Sequence, residues 1–236
     1  MRRIVIAVTL ALACGPQTAV VRTPAPATAT PRPTETPGVV RYVAVGASDT
    51  VGVGASDPPR GSWPARIAAR LPSGSAYVNL GVSGSLARDA RTAQLPRAIL
   101  ERPTVVTVWL AVNDIMGQLA PQEYARDLAQ VVDPLVERTS ARVFVGTVPD
   151  LRAVPAFGGV DRARLGEVVR AYNAVIEQVA ARHAGRVVAV DLFTGSAELT
   201  TSLTVTEDGL HPTDRGYELI AERFAAALRA AGVPLR

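Results

Sequence analysis

The chain has 236 residues, of which 48% are hydrophobic and 19% are charged. These proportions fit one globular domain with a sizeable core, once an atypical N-terminal segment is set aside. All 25 basic residues are arginine, and the formal net charge is only +4, without a dense basic run. The composition therefore argues against a nucleic-acid-binding protein, and the arginine content is read as a coding bias rather than a cationic surface.

The first fourteen residues have the features of an export signal. Arg2 and Arg3 give a charged start, and the apolar run Ile4–Ala13 is interrupted only by Thr9. This run is too short to span a bilayer comfortably. Cys14 stands where cleavage is expected, and the residues before it resemble a bacterial lipobox, in which the cysteine becomes the lipidated first residue. We therefore expect an exported cell-envelope protein that associates with the membrane through Cys14, with simple secretion and an unmodified cysteine as the alternative.

Residues 15–38 are rich in Thr, Ala and Pro. Such a segment buries too little apolar surface to offset its ordering entropy, and proline favours extended geometry. It is predicted to be a disordered tether that holds a folded domain off a membrane surface, with a tail that has no spacing role as the alternative. Because the chain has a single cysteine, no intrachain disulfide can form. The folded domain is expected to span residues 39–236.

Within that domain, short valine-rich runs alternate with amphipathic segments. The runs are typical of strands buried on both faces and cover residues 39–45, 76–80, 105–110, 143–148 and 187–190. Apolar residues recur at helical spacing in Leu165–Val179 and Tyr217–Leu228. A helix through Tyr124–Leu135 is predicted to break or kink near Asp133, because Pro134 lacks an N–H. The alternation predicts an α/β fold, a three-layer α/β/α sandwich around a mostly parallel five-stranded sheet.

Ligands of parallel sheets bind beyond the carboxyl ends of the strands, so the loops that follow the strands are the places to search for a site. Ser48 follows the first strand in a glycine-rich loop that can turn sharply and expose the hydroxyl. Gly84 follows the second strand and Asn113 the third, and both offer N–H donors of the kind that stabilise an oxyanion. Asp208 lies three residues before His211, one of two histidines in the chain. A neighbouring carboxylate can fix a histidine's tautomer and stabilise its charged form.

Each of these residues also has a structural interpretation, which for Gly84 is a glycine that only permits a positive φ. Ser48 is typical of a turn former or helix cap. Asn113 can bond its own backbone, with Asp114 as a helix cap. Asp208 and His211 can form a surface salt link that caps the last helix.

Two other residues are assigned structural roles. His183, the second histidine, follows a predicted helix and precedes Gly185, so it is predicted to be a dipole-stabilised C-terminal residue without a catalytic role. Asp191, at the end of the fifth strand, is the rival carboxylate for orienting His211, but it fits a strand-end role better.

Taken together, the four loops resemble the four sequence blocks of the SGNH hydrolase family, also called GDSL esterases and lipases. The resemblance covers the chain from about Val39 to its end. The serine block matches residues 46–48, with Ala47 where the common form has aspartate. The glycine block matches residues 79–84, with the oxyanion glycine at Gly84.

The remaining two blocks match at the residues that carry chemistry. The asparagine block matches Asn113, although Ala111 replaces the usual glycine. The last block, Asp-x-x-His, is matched in full by Asp208 and His211. The departures at Ala47 and Ala111 spare every residue to which the family assigns a chemical role.

The resemblance implies a flavodoxin-like fold and a serine esterase that needs no metal or organic cofactor. Ser48 would attack the acyl carbon while His211 takes its proton and Asp208 orients the imidazole. The backbone N–H groups of Ser48 and Gly84, with the side-chain amide of Asn113, would form the oxyanion hole. Water would then hydrolyse the acyl-enzyme.

The substrate is left open between a small-molecule, lipid or acylated-glycan ester, and the protein is expected to be a monomer. Loops 51–62 and 149–160 are expected to wall the pocket, and the second carries apolar residues suited to an acyl chain or merely to covering the sheet: Leu151, Val154, Pro155 and Phe157. Two other classes remain. One is an acyltransferase that uses the same residues, and the other is a non-catalytic envelope binding module, for which the two alanine departures argue.

Overall fold

The computed structural model describes residues 38–236. The predicted signal segment 1–14 with Cys14, and all but the last residue of the predicted tether 15–38, lie outside the described residues. Within the described part, no helix is both long and apolar enough to cross a membrane.

Five strands form one central sheet: β1 (Arg41–Gly46), β2 (Ala76–Asn79), β3 (Val105–Trp109), β4 (Arg142–Gly146) and β5 (Val187–Val190). Their order is β2-β1-β3-β4-β5, and every neighbouring pair is parallel. The predicted α/β fold is confirmed, and the sheet is wholly parallel. The chain leaves β1 toward β2 on one side and continues through β3 on the other. This change of direction opens a crevice at the carboxyl ends of the central strands, where ligands of such sheets bind.

Ten α-helices accompany these strands in residues 38–236: α1 (Ser48–Val51), α2 (Pro58–Gly61), α3 (Trp63–Ala68), α4 (Ala87–Ala93), α5 (Leu95–Leu100), α6 (Val112–Met116), α7 (Pro121–Arg138), α8 (Arg162–Ala181), α9 (Ser196–Leu199) and α10 (Asp214–Ala230). Two short 3₁₀ turns, Leu151–Ala153 and Pro155–Phe157, follow β4.

The helices form a layer on each side of the sheet. Buried side chains of α4, α5, α7 and α8 pack on one face, and those of α3 and α10 pack on the other. Aromatic pairs join the helices within each layer. Tyr124 of α7 lies 4.8 Å from Tyr172 of α8, and Trp63 of α3 stacks on Phe224 of α10 at 4.2 Å, both measured between ring centroids. The three-layer arrangement therefore has a separate apolar core on each side of the sheet.

β2 differs from the central strands because it lies at an edge of the sheet. All five residues of β3 are buried, whereas none of the four residues of β2 is. An edge strand has a neighbour on one side only, so the helical layers cover it less completely. The prediction that this run is buried on both faces is wrong.

Helix α7 continues through Pro134 to its end at Arg138, so the predicted break near Asp133 is wrong, and the alternative of a kink there stays a prediction. Proline removes the hydrogen bond to the carbonyl four residues earlier, which belongs to Gln130. Gln130 is exposed, so water can satisfy its carbonyl group. Burial of the apolar stripe of α7, which includes Leu128, holds the helix together across this position.

Candidate active site

Ser48 lies at the carboxyl end of β1, as the first residue of the short helix α1. The N–H groups of Thr50 and Val51 donate to the carbonyl of Ala47 at 3.0 and 3.1 Å, so the turn closes without a side-chain cap. The predicted alternative, in which Ser48 is a helix cap, is therefore wrong. Its side chain instead lines a small cavity of about 10 Å³, together with Asn113 and six other residues.

The turn after α1 packs against the segment that carries His211. Gly54 has a φ of +96°, and a Cβ atom there would lie 2.5 Å from the carbonyl oxygen of Pro212 and 3.3 Å from the Cβ of His211. Only a residue without a side chain allows this approach. The hydroxyl of Tyr217 donates to the carbonyl of Val53 at 2.6 Å. These contacts bring the loop that carries Ser48 (the serine loop) and the loop that carries His211 (the histidine loop) to the same edge of the sheet.

His211 contacts Asp208 through Nδ1 and Oδ2 at 2.6 Å. The other carboxylate oxygen accepts from the hydroxyl of Thr206 at 2.7 Å and from the backbone N–H groups of Leu210 and His211 at 2.8 and 3.0 Å. Desolvation raises the pKa of Asp208, but the hydrogen bonds from the His211 side chain, from Thr206 and from these backbone groups outweigh it. They hold the pKa well below its ordinary value, so Asp208 stays ionised beside His211.

The last helix is capped by another residue. Helix α10 begins at Asp214, and the Oγ1 of Thr213 accepts from the N–H of Gly216 at 3.3 Å. The predicted alternative, in which Asp208 and His211 cap this helix, is therefore wrong.

The rival carboxylate, Asp191, is engaged in its own turn after β5. One of its oxygens accepts from the N–H groups of Phe193 and Thr194 at 2.8 and 2.9 Å. The structure therefore pairs His211 with Asp208 and places Asp191 in the strand-end role that the sequence favours.

Three donor groups lie in the neighbouring loops. Among the described residues, no acceptor bonds the backbone N–H of Ser48 or of Gly84. Gly84 has a φ of +78°, and its Cα faces open space. Asn113 lies in α6, and its side-chain amide donates to the carbonyl of Ser85 at 3.1 Å rather than to its own backbone. One amide hydrogen orients the Asn113 side chain, and the second is left for a ligand.

Asp114 caps a neighbouring helix. Its carboxylate accepts from the N–H of Ala87, the first residue of α4, at 3.2 and 3.3 Å. The side chain is fully buried, and desolvation raises its pKa to about 6 despite this hydrogen bond. The prediction that Asp114 caps its own helix is wrong, because α6 begins at Val112 after Ala111, and the carboxylate instead caps α4.

Gln94, which is not among the predicted site residues, joins the loop that carries Ser48 to the loop that carries Gly84. Its side chain is 1% exposed, accepts from the N–H of Gly46 at 2.9 Å and donates to the carbonyl of Gly46 at 3.0 Å. The same amide donates to the hydroxyl of Ser85 at 3.1 Å. No motif marks a glutamine between two helices, so nothing in the sequence identifies this residue.

Asp49, also absent from the predicted site residues, follows Ser48 and lines the same cavity. Desolvation raises the pKa of Asp49 to about 6; His211 lowers it and Asp208 raises it. The preceding Ala47, which replaces the family's usual aspartate, is buried in the core. An acidic group thus stands on the cavity side of Ser48, one position after it.

A second cavity, of about 120 Å³, adjoins the first. Leu151 and Val154 from the predicted pocket loop 149–160 line it, whereas Pro155 and Phe157 do not, so their predicted place in its wall is wrong. Loop 51–62 lines neither cavity, because it packs against α10, so its predicted place in the pocket wall is wrong. Across residues 38–236, no group of three or more His, Cys, Asp or Glu side chains is arranged to hold a metal ion.

A parallel sheet that carries a serine, a histidine–aspartate pair and free N–H donors at one edge has the parts that an α/β serine hydrolase uses. The profile of the GDSL-like Lipase/Acylhydrolase family matches residues 44–219, and the chain belongs to this family. A comparison with curated protein sequences finds no match for the chain.

Solved structures of several hydrolases share the fold. LAE5, an alpha/beta hydrolase enzyme from the metagenome of Lake Arreo, Spain, is 22% identical over 82% of this chain and 95% of its own, with a TM-score of 0.64. TesA is 22% identical over 81% of this chain and 99% of its own, with a TM-score of 0.63. A catalytic mutant of Axe2, an acetylxylan esterase from Geobacillus stearothermophilus, is 20% identical over 82% of this chain and 94% of its own, with a TM-score of 0.64. At these identities the likeness shows the fold alone.

Proposed function

We propose that this protein is a serine esterase that hydrolyses carboxylic esters through an acyl-enzyme. The observation that carries the proposal is the 2.6 Å contact between His211 Nδ1 and Asp208 Oδ2, in a loop that packs against the serine loop. This contact occupies one ring nitrogen and leaves Nε2 to accept a proton from Ser48.

In the first half of the reaction, Ser48 Oγ forms a bond to the acyl carbon and its proton moves to His211 Nε2. The carbonyl oxygen becomes an oxyanion that accepts from the N–H groups of Ser48 and Gly84 and from the Asn113 amide. Collapse of this intermediate breaks the bond to the alcohol, which leaves with the proton from His211.

In the second half, a water molecule attacks the acyl carbon while His211 accepts its proton. The oxyanion again accepts from the same donors, and its collapse breaks the bond to Ser48 Oγ, which takes the proton back from His211 as the acid is released. Asp208 stays ionised throughout, because its hydrogen bonds hold its pKa well below the ordinary value. It therefore orients the imidazole and stabilises the imidazolium without taking the proton itself.

The test is turnover of p-nitrophenyl acetate by the purified protein. We expect Ser48→Ala to lower kcat by roughly 10⁴ or more while the circular dichroism spectrum and the melting temperature stay unchanged. Wild-type turnover in a folded Ser48→Ala protein contradicts the proposal. Product analysis in the presence of added alcohols distinguishes an acyltransferase, because that enzyme forms a new ester. A folded wild-type protein that turns over no ester indicates the non-catalytic binding module.

We extend the proposal to the substrate and the location of the enzyme. Its fold is similar to that of an acetylxylan esterase, so acetylated oligosaccharides are one substrate class to test. The sequence of residues 1–14 supports export and lipidation at Cys14. Fractionation of producing cells tests the location: Cys14→Ser is expected to move the enzyme from the membrane to the soluble fraction, and equal distribution of the two proteins contradicts lipid anchoring.

A further inference from the structure

The 120 Å³ cavity adjoins the candidate active site directly. It shares four lining residues with the small cavity at Ser48: Asp49, Trp109, Val112 and Leu210. Most of its remaining wall is apolar and comes from the loop after β4 around the first 3₁₀ turn, from the segment after β5 and from α10. A group bonded to Ser48 can therefore extend from the small cavity into the larger one.

Hydrogen bonds hold the wall of this cavity in place. Arg223 of α10 donates to the carbonyls of Asp191 and Thr194 at 3.2 and 2.6 Å, which fastens the segment after β5 to the helix. The hydroxyl of Ser196 accepts from the N–H of Asp150 at 2.8 Å, which joins the same segment to the loop after β4. The wall is thus built before a ligand enters, as in most small-molecule sites.

We propose that this cavity binds the acyl chain of the ester and is sized for an unbranched chain of about four to six carbons. The proposal rests on the esterase function of Ser48. An apolar cavity of about 150 Å³ holds a benzene molecule, so 120 Å³ fits a butanoyl to hexanoyl chain and is too small for a long fatty acid.

The acyl part suits this cavity better than the alcohol part. The acyl chain stays bonded to Ser48 while water enters, whereas the alcohol has to leave before the second step. A chain held by preformed apolar walls keeps the acyl carbon in place for attack by water.

Asp49 is the carboxylate at the junction of the two cavities. The side chains of His211 and Asp208 act electrostatically on its charge, with opposite signs. A charge beside a chain of methylene groups opposes its entry, because it loses hydration without gaining a partner. Replacement of Asp49 by the neutral asparagine is therefore expected to favour longer acyl chains relative to acetate.

The experiment measures kcat/KM for p-nitrophenyl esters from acetate to dodecanoate. We expect an increase of about fourfold for each methylene group up to butanoate or hexanoate, and a decrease beyond octanoate. A decline from acetate onward, or a continued rise to dodecanoate, overturns the proposal. If the wild-type protein hydrolyses none of the esters, the esterase function itself fails, and the two failures are therefore distinguishable.

A pair of matched variants locates the chain. Leu219 lines the cavity and Leu203 is 76% exposed outside it, so Leu219→Trp fills the cavity and Leu203→Trp is the control. We expect Leu219→Trp to lower the hexanoate-to-acetate ratio of kcat/KM by about 10- to 100-fold and Leu203→Trp to leave it unchanged. Equal ratios in the two variants overturn the proposal.

Two further arms complete the test. Leu219→Phe replaces the tryptophan variant if that protein fails to fold, and Asp49→Asn is expected to raise the hexanoate-to-acetate ratio at least about threefold. A fall in that ratio contradicts the role given to Asp49.

Acetate esters of alcohols from methanol to hexanol test whether the alkyl chain in the cavity belongs to the alcohol instead. If the effect of Leu219→Trp follows the length of the alcohol rather than the length of the acyl chain, the assignment is overturned.

Discussion

Two histidine–aspartate pairs lie at opposite edges of the sheet. His183 Nε2 contacts Asp133 Oδ1 at 2.7 Å, and His211 Nδ1 contacts Asp208 Oδ2 at 2.6 Å. The first pair joins the ends of α8 and α7 just before β5 and β4 begin, and the second stands beyond the carboxyl ends of the strands. Almost equal distances therefore occur in two very different settings.

The surroundings decide what each pair can do. The Nη2 atom of Arg182 lies 3.8 Å from the same Oδ1 of Asp133. The pair at the amino edge therefore belongs to a small cluster of polar and charged side chains near the ends of two helices. The pair at the carboxyl edge lies against the serine loop, near N–H groups that have no acceptor in the described part of the chain. A histidine–aspartate contact therefore indicates a catalyst only where a nucleophile and free donors adjoin it.

Exchange of each histidine for alanine gives the largest expected contrast. His211→Ala removes the proposed base for Ser48 and is expected to lower kcat by roughly 10⁴ or more. His183→Ala loses a half-buried hydrogen bond to Asp133, so we expect a loss of about 1 kcal/mol in unfolding free energy and little change in turnover. Ester hydrolysis and urea denaturation measure the two quantities, and a comparable loss of kcat in both folded variants breaks the distinction.

Exchange of the carboxylates tests the same distinction one step further from the chemistry. Asp208→Asn keeps the shape of the side chain but removes the charge that stabilises the imidazolium, so kcat is expected to fall by roughly 10² to 10⁴. Asp133→Asn and Asp191→Asn are the controls and should retain wild-type turnover. If Asp191→Asn slows the enzyme more than Asp208→Asn, the orienting carboxylate is misassigned.

Asn113→Ala removes one donor from the carboxyl edge and leaves both histidine pairs intact. Loss of one oxyanion donor lowers kcat by roughly 10² to 10³, and we expect KM to change little, because the donor acts mainly on the charge of the transition state. Steady-state kinetics on p-nitrophenyl acetate supplies both constants. A rise in KM without a fall in kcat indicates a ground-state binding role instead.

The smallest expected effect concerns backbone strain at the two edges. Ala111, just before α6 at the carboxyl edge, has a φ of +97°, and Arg102, before β3 at the amino edge, has a φ of +48°. The φ of Arg102 lies in the ordinary left-handed region, whereas the φ of Ala111 lies beyond it. Ala111→Gly is therefore expected to add about 1 kcal/mol to the unfolding free energy, more than Arg102→Gly adds. Urea denaturation of both variants measures this, and destabilisation by Ala111→Gly contradicts it.

The strain at Ala111 gives a structural meaning to a departure that the sequence already showed. Alanine stands where the family usually has glycine, and the backbone there keeps a conformation that favours glycine. Ala111 leads directly into α6, which carries Asn113. A glycine-like conformation at Ala111 weakens the argument that this position marks a non-catalytic binding module.

Sequence periodicity predicted the sheet and the long helices because buried strands and amphipathic helices have distinct apolar patterns. It failed at β2, where valine content gave no sign of an edge position, and at Pro134, where packing of α7 outweighed the local preference. Both failures have the same cause: the outcome depends on neighbours that are distant in the sequence.

The candidate site, like the fold, could be predicted only where the signal is local in the sequence. Loop position pointed to Ser48 and His211, but nothing in the sequence indicated Gln94, which holds two loops together from a buried position between helices. The partner of His183 was also unforeseen, because Asp133 is fifty residues away along the chain. Long-range polar contacts of this kind have no local pattern that can reveal them.

The most direct test of the central claim is labelling with a fluorophosphonate, which reacts with an activated serine. We expect the folded wild-type protein to carry one label on the peptide that contains Ser48, and the His183→Ala variant to be labelled at a similar rate. Ser48→Ala and His211→Ala should stay unlabelled, as read by mass spectrometry of the digested proteins. A folded wild-type protein that takes no label at Ser48, or a His211→Ala variant that is labelled as fast as the wild type, would contradict the account.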